Sequence, residues 1–179
     1  DSISQQSDII LISNKNDEFS NLNSNVIYNL GESTDGAIWA CTEEGINMID
    51  VKPGIFNTQS YSSLQNPELA MGIRSLLNSE EGFVWLGSVG DGLFRFYLNS
   101  GTIEQVPLIK DGNRIGMIIQ AILQDNRNNL WLGTEGDGVI RLMFNSGLDR
   151  PPSDILNYRI YPNSFPETSL LNDYVMCLL

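Results

Sequence analysis

The sequence predicts an all-β fold made of repeated sheets, and three observations support that prediction. The segments VWLGSVGDGLFRF (84–96) and LWLGTEGDGVIRL (130–142) are identical at seven of thirteen positions. A looser copy, IWACTEEGINMI, occupies residues 38–49. The three tryptophans of the chain fall one in each copy and are 46 residues apart. A period of about 20–50 residues is typical of solenoids, propellers and other repeat architectures.

Each repeat contains four short apolar segments separated by turn residues. The first segment is aliphatic and β-branched, and the second carries the tryptophan. Gly, Asn and Asp between them supply the backbone freedom of a tight hairpin. Four short strands joined in this way form one blade of a β-propeller. The first strand is expected at 25–30, 72–77 and 118–123; the second at 38–42, 84–88 and 130–134; the third at 46–50, 93–97 and 139–144; and the fourth at 55–61, 102–108 and 155–161.

The predicted architecture is a β-propeller fragment of about four blades, with four antiparallel strands per blade and a period of 46 residues. The stretch between Arg150 and Leu170 is about ten residues longer than its counterparts and contains two adjacent prolines, which indicates an inserted surface loop. The expected divisions are 1–22, the end of a preceding blade; 23–66, a blade; 67–112, a blade; 113–166, a blade with the inserted loop; and 167–179, the first strand of the next blade.

Conserved spacing within the repeat assigns structural roles to seven residues. A large flat side chain on each sheet fills the space between neighbouring blades, so Trp85 and Trp131 are expected to be almost fully buried. Loss of either ring should cost about 3–5 kcal/mol. Small residues two positions later leave room for a bulky neighbour. The alternative role of the tryptophans is a platform that stacks on sugars. The structural repeat residues are Trp39, Trp85, Trp131, Gly87, Gly133, Gly92 and Gly138.

Composition excludes several classes of function. The net charge is −12, and the ten Lys and Arg residues are scattered, which argues against nucleic acid and against contact with an anionic membrane. The chain has no histidine, so it offers no Ser-His-Asp or Cys-His catalytic arrangement. Cys41 and Cys177 are both expected to be small buried residues, with a disulfide between them the less favoured alternative. No catalytic residue, cofactor or metal is expected.

Two local motifs resemble known kinds of site. The GDG segments at 90–92 and 136–138 could suggest calcium, but neither aspartate has acidic neighbours at suitable spacing, so a hairpin turn is favoured. STDGAIW at 33–39 resembles a sialidase Asp box, but Asp35 is one position too close to Trp39. A glycosidase also needs a catalytic carboxylate pair, and nothing in the sequence marks one. A polysaccharide-active enzyme is therefore the least favoured function.

The repeat resembles the two-component regulator propeller repeats of bacterial hybrid two-component systems. The resemblance rests on Trp-Leu-Gly-Ser/Thr, a glycine-rich turn and an apolar-Arg strand in the copies at 84–96 and 130–142. The first copy departs from the pattern, with Ala40 and Cys41 in place of Leu-Gly and one residue fewer in the next turn.

This resemblance implies a periplasmic sensor region within an inner-membrane protein that also contains a histidine kinase. It implies an oligosaccharide derived from a glycan as the ligand, with binding residues that the motif does not identify. The alternative is a propeller scaffold for protein–protein contact or receptor dimerisation. About 3.9 periods fit in the chain, so a partial ring is expected to self-associate with a second copy and complete the ring.

Overall fold

The computed structural model describes residues 12–14, 22–33, 35–52, 55–62, 72–79, 82–144, 155–162, 170 and 172–179. Within this part of the chain every regular element is a strand. The strands are β1 Ile27–Glu32, β2 Ile38–Thr42, β3 Gly45–Lys52, β4 Ile55–Ser62, β5 Ile73–Asn78, β6 Phe83–Ser88, β7 Leu93–Tyr97, β8 Ile103–Val106, β9 Ile109–Lys110, β10 Asn113–Arg114, β11 Ile119–Gln124, β12 Leu130–Thr134, β13 Val139–Phe144 and β14 Ile155–Tyr161.

Twelve of these strands form three four-stranded antiparallel sheets, each with its strands in sequence order. We name the sheets blade 1 (β1–β4), blade 2 (β5–β8) and blade 3 (β11–β14); β9 and β10 form a separate hairpin between blades 2 and 3. The predicted all-β fold with four antiparallel strands per sheet is confirmed.

The hairpin between the first two strands of each blade turns through a left-handed residue three positions before the tryptophan. Gly36 and Gly82 have φ of 85° and 83°, and Asn128 has φ of 59°. Glycine adopts this region without a steric penalty, and asparagine tolerates it better than most residues. The local sequence therefore suffices to place these turns.

The hydrophobic core lies between blades. One cluster combines Trp39, Cys41 and Ile46 of blade 1 with residues of β5, β6 and β7. A second cluster joins Trp85 and Leu93 of blade 2 to residues of β11, β12 and β13. Each sheet therefore buries its apolar side chains against the adjacent sheet, as in a propeller.

Backbone hydrogen bonds link each glycine-rich turn to the chain that enters the next blade. The N–H groups of Gly90 and Gly92 both donate to the Met117 carbonyl at 2.9 Å. Those of Gly136 and Gly138 donate to the Asp173 carbonyl at 3.0 Å. Residue 173 thus meets blade 3 as residue 117 meets blade 2. The two carbonyls are 56 positions apart, ten more than the 46 that separate the paired glycines.

The end of the chain differs from expectation. Tyr174 forms a single bridge with Glu135, and residues 175–179 form no strand. Cys177 is exposed, so the expectation that both cysteines are buried is wrong for this residue; its segment is not covered by a neighbouring sheet in the described part of the chain. Cys41 is buried as expected, and both thiols are free.

The segment 8–22, expected to complete a preceding blade, lies mostly outside the described residues. The inserted loop, too, falls largely outside them. Over the ranges given above, the structure contains no helix long and apolar enough to cross a membrane.

Candidate functional site on the innermost strands

The first strand of every blade contains a one-residue β-bulge at the same repeat position. The pairing of β1 with β2 skips Tyr28, that of β5 with β6 skips Arg74, and that of β11 with β12 skips Gln120. Each of these residues stands eleven positions before the tryptophan of its repeat. Bulges turn a side chain away from the regular pleat and are frequent beside functional sites.

The three bulge side chains form a continuous row across the blades. The Arg74 guanidinium carbon lies 5.0 Å from the centroid of the Tyr28 ring. Arg74 Nη1 donates to Gln120 Oε1 at 3.2 Å, and Gln120 Nε2 donates to Glu135 Oε2 at 2.7 Å. We call these four residues the bulge row.

Exposure falls along the row from blade 1 to blade 3. The Tyr28 side chain is 39% exposed, Arg74 is partly buried and Gln120 is only 9% exposed. The row is therefore open to solvent at Tyr28 and anchored at its other end. It offers an aromatic ring, a cation, an amide and a carboxylate.

Sequence reasoning missed these residues, although a signal was present. Aliphatic residues stand twelve and nine positions before each tryptophan, and the position eleven before it holds Tyr, Arg or Gln. A polar or amphipathic residue recurring inside an aliphatic strand is the signal that would have marked the row.

The repeat tryptophans of blades 1 and 2 lie in the core. Trp39 is 1% exposed and meets the Phe96 ring of blade 2 edge-on at 6.2 Å between centroids. Trp85 is fully buried, and its centroid lies 6.0 Å from that of Phe144 in blade 3. In both cases the ring is covered by the following blade, as expected for a residue that fills the gap between blades.

Trp131 does not follow this pattern, and the expectation of near-complete burial is wrong for it. Its ring is partly exposed and stacks on Tyr161 of its own blade, with centroids 5.7 Å apart. Its Nε1 donates to Asp125 Oδ2 at 2.9 Å. The physical reason is that no further sheet within the described residues packs on this face of blade 3.

The four repeat glycines lie where neighbouring atoms leave little or no room for a side chain. A Cβ atom on Gly87 would lie 2.7 Å from Ile119 Cγ2, and one on Gly133 would lie 2.8 Å from the Val175 carbonyl oxygen. Gly92 and Gly138 have φ of 87° and 70° and donate the hydrogen bonds between turns and blades described above. These positions admit no larger residue without displacement of a neighbour.

Asp125 accepts the hydrogen bonds that hold together the polar turn between β11 and β12, just before Trp131. Burial opposes ionisation of Asp125, but hydrogen bonds donated by the Trp131 and Asn129 side chains and by two backbone amides outweigh it and hold the pKa of Asp125 well below its usual range. The ionised Asp125 carboxylate thus stabilises the turn. Over the part of the chain that is described, no three acidic or cysteine side chains come close enough to hold a metal ion.

The fold defines the class of the protein, a β-propeller repeat protein. Residues 113–136 match the family model described as "Two component regulator propeller". The matched segment includes β11 and β12 of blade 3, and the resemblance noted in the sequence is confirmed there. No protein of curated function matches the chain by sequence.

Solved structures resemble this fold. The extracellular domain of BT4673 from B. thetaiotaomicron, described in one structure as a putative one component system, matches with TM-score 0.59 and 20% identity over 86% of this chain. A second structure, described as a putative hybrid two component system, matches with TM-score 0.59 and 21% identity over 86% of this chain. The chain spans 19% of that domain in each case. The extracellular domain of the putative hybrid two component system BT3049 from the same organism gives TM-score 0.49 and 20% identity over 88% of this chain and 24% of that one.

Proposed function

We propose that the chain belongs to the extracytoplasmic ligand-sensing region of a hybrid two-component signalling protein, located in the periplasm as part of an inner-membrane protein. The match of residues 113–136 to the two component regulator propeller family carries this proposal. The fold shared with the BT4673 extracellular domain is consistent with it. The ligand is an oligosaccharide released from a glycan.

The chain acts by binding, not by catalysis. The bulge row combines a partly exposed phenol ring with hydrogen-bonding groups held in fixed positions by their neighbours. Ligand sites need such convergent polar groups, and aromatic rings commonly stack on sugar faces. The row therefore supplies a surface for a polyhydroxylated ligand.

The test is a titration of the full chain with oligosaccharides from partially hydrolysed plant and host glycans, followed by ¹⁵N–¹H correlation spectra. Saturable shifts with no shortening of the oligosaccharides on subsequent chromatography are the expected result. Release of shorter sugars would instead support a polysaccharide-active enzyme. Absence of saturable shifts with every mixture would contradict the sensing proposal.

We also propose that two copies of the chain associate head to tail. Leu76 of β5 and Ile122 of β11 pack against the clusters between blades, whereas Leu30, at the matching position of β1, is 62% exposed. Trp131 is partly exposed where Trp39 and Trp85 are buried. Blade 1 thus exposes the face that in blades 2 and 3 packs against the preceding blade. Blade 3 exposes the face that in blades 1 and 2 is covered by the following blade.

Light scattering of the purified chain tests this association. We expect a mass that rises with concentration toward twice that of the monomer. Trp131→Glu should restore a monomer, and Arg127→Glu, at an exposed turn position, should leave association unchanged. A strictly monomeric mass at every concentration would refute the proposal.

A further inference from the structure

Arg74 is a cation for which no ion pair is found among the described residues. The chain contains 22 acidic and ten basic residues, so an arginine would find acidic partners easily. Among the described residues, however, Arg74 donates its side-chain hydrogen bond to the neutral Gln120 amide and lies over the face of the Tyr28 ring. Arginine is the residue that most often binds planar anionic groups through two parallel hydrogen bonds.

The guanidinium group is held in place by its neighbours on both sides. The Tyr28 ring lies against it, and Gln120 accepts the hydrogen bond from Nη1. The hydrogen bond from Gln120 Nε2 to Glu135 fixes the amide so that its oxygen, not its nitrogen, faces Arg74. A cation positioned in this way loses little conformational entropy when it binds an anion.

Two nitrogens of the guanidinium, Nε and Nη2, do not donate to Gln120. Nε is buried without a hydrogen-bond partner among the described residues, and Nη2 donates to none of them. Because Nε is buried, a ligand in solvent cannot reach it, and Nη2 is the donor that remains for an acidic group. A hydrogen bond from a charged donor such as Nη2 to an anionic oxygen is stronger than one between neutral groups.

We infer that Arg74, with Tyr28 and Gln120 beside it, binds an acidic substituent of the oligosaccharide, either a carboxylate or a sulfate ester. This inference rests on the proposed function, since it names the class of sugar that the sensor would take. The ring of Tyr28 then lies beside the sugar, and Nη2 of Arg74 donates to the acidic group. In the alternative, Arg74 only stabilises the contacts between blades. Its replacement would then lower the stability of the fold but would not change which sugar binds.

The experiment compares three disaccharides that differ in charge: cellobiose, its uronic acid derivative and a monosulfated form. Each is titrated into the full chain, and the Arg74 Nε–Hε signal and the backbone signals are followed by ¹⁵N–¹H correlation spectra. The variants are Arg74→Gln and Arg74→Lys. Arg127→Gln is the matched control, because Arg127 is exposed in the turn beyond the far end of β11. Thermal unfolding of every variant reports whether it is folded.

We expect an acidic probe to bind at least tenfold more tightly than cellobiose. The dissociation constant of the acidic probe should be about 1 mM, a weak value suited to a site with one cation and one ring. Arg74→Gln should abolish the preference, Arg74→Lys should retain part of it and Arg127→Gln should leave it intact. A response to the carboxylate but not the sulfate, or the reverse, identifies the substituent.

Equal affinity for cellobiose and the acidic probes, or an acidic preference that survives in folded Arg74→Gln, would overturn the inference. If neutral probes bind and acidic ones are not preferred, the sensing proposal stands and this inference fails. If no acidic probe binds, the inference fails as well. Should Arg74→Gln not fold, Arg74→Met takes its place, and an acidic preference that survives in folded Arg74→Met would overturn the inference.

Discussion

Replacement of Trp85 by alanine should be the most destabilising single change at the repeat tryptophans. The ring is fully buried between blades 2 and 3. It meets Phe83 edge-on at 5.4 Å and Phe144 at 6.0 Å, and the Arg95 guanidinium lies 4.6 Å from its centroid. Its removal would leave a large cavity beside a fully buried cationic side chain.

The size of the loss follows from these contacts. An aromatic residue removed from a core costs about 3–5 kcal/mol. The upper end applies to Trp85, since Arg95 would also lose a desolvated cation–π contact of about 2 kcal/mol. Trp131→Ala removes the equivalent ring from a partly exposed face, so about 2 kcal/mol is expected there. The same substitution in the same repeat position thus has different costs.

Urea unfolding followed by far-ultraviolet circular dichroism measures both values. With a slope of about 2 kcal/mol per molar urea, and at a concentration where the chain is monomeric, the midpoint should fall by about 2.5 M for Trp85→Ala and about 1 M for Trp131→Ala. Trp85→Phe, which keeps an aromatic ring, should lose less than half as much as Trp85→Ala. Equal midpoints for the two alanine variants would refute the reasoning, because burial by a neighbouring blade would then not determine the cost.

Three further outcomes are expected. Gly87→Ala should lower the stability by about 1–3 kcal/mol in urea unfolding, because the added methyl group overpacks the contact between blades 2 and 3; an unchanged midpoint would contradict this. Folding lowers the pKa of Asp125, so its carboxylate stabilises the fold above the unfolded value of 3.8 and this contribution is lost as the pH falls below it. Asp125→Asn should therefore reduce the melting temperature at neutral pH and weaken its decline in acid; parallel curves for both proteins would contradict the assignment. Finally, one thiol per chain, Cys177, should react with Ellman's reagent in the native protein and two in denaturant, because burial shields Cys41 and raises the pKa of its thiol; two reactive native thiols would count against the fold.

Local sequence was sufficient to place most of the strands. The predicted bounds 38–42, 93–97, 130–134, 139–144 and 155–161 are those of β2, β7, β12, β13 and β14. Hairpins of this kind depend on contacts between residues close in the chain, and their turns are determined by Gly or Asn at left-handed positions such as Gly82 and Asn128. Such information is present in any short window of the sequence.

The tertiary structure decided the features that depend on which blade lies beside which. Trp85 and Trp131 have nearly the same sequence context, yet within the described part of the chain another sheet covers the first and none covers the second. The bulge row likewise joins residues 46 positions apart, Arg74 and Gln120, through a contact that no local pattern specifies. Periodicity in the sequence identifies equivalent positions, but burial, pairing and the direction of a bulged side chain depend on the neighbouring blades, because those properties are set by non-local packing.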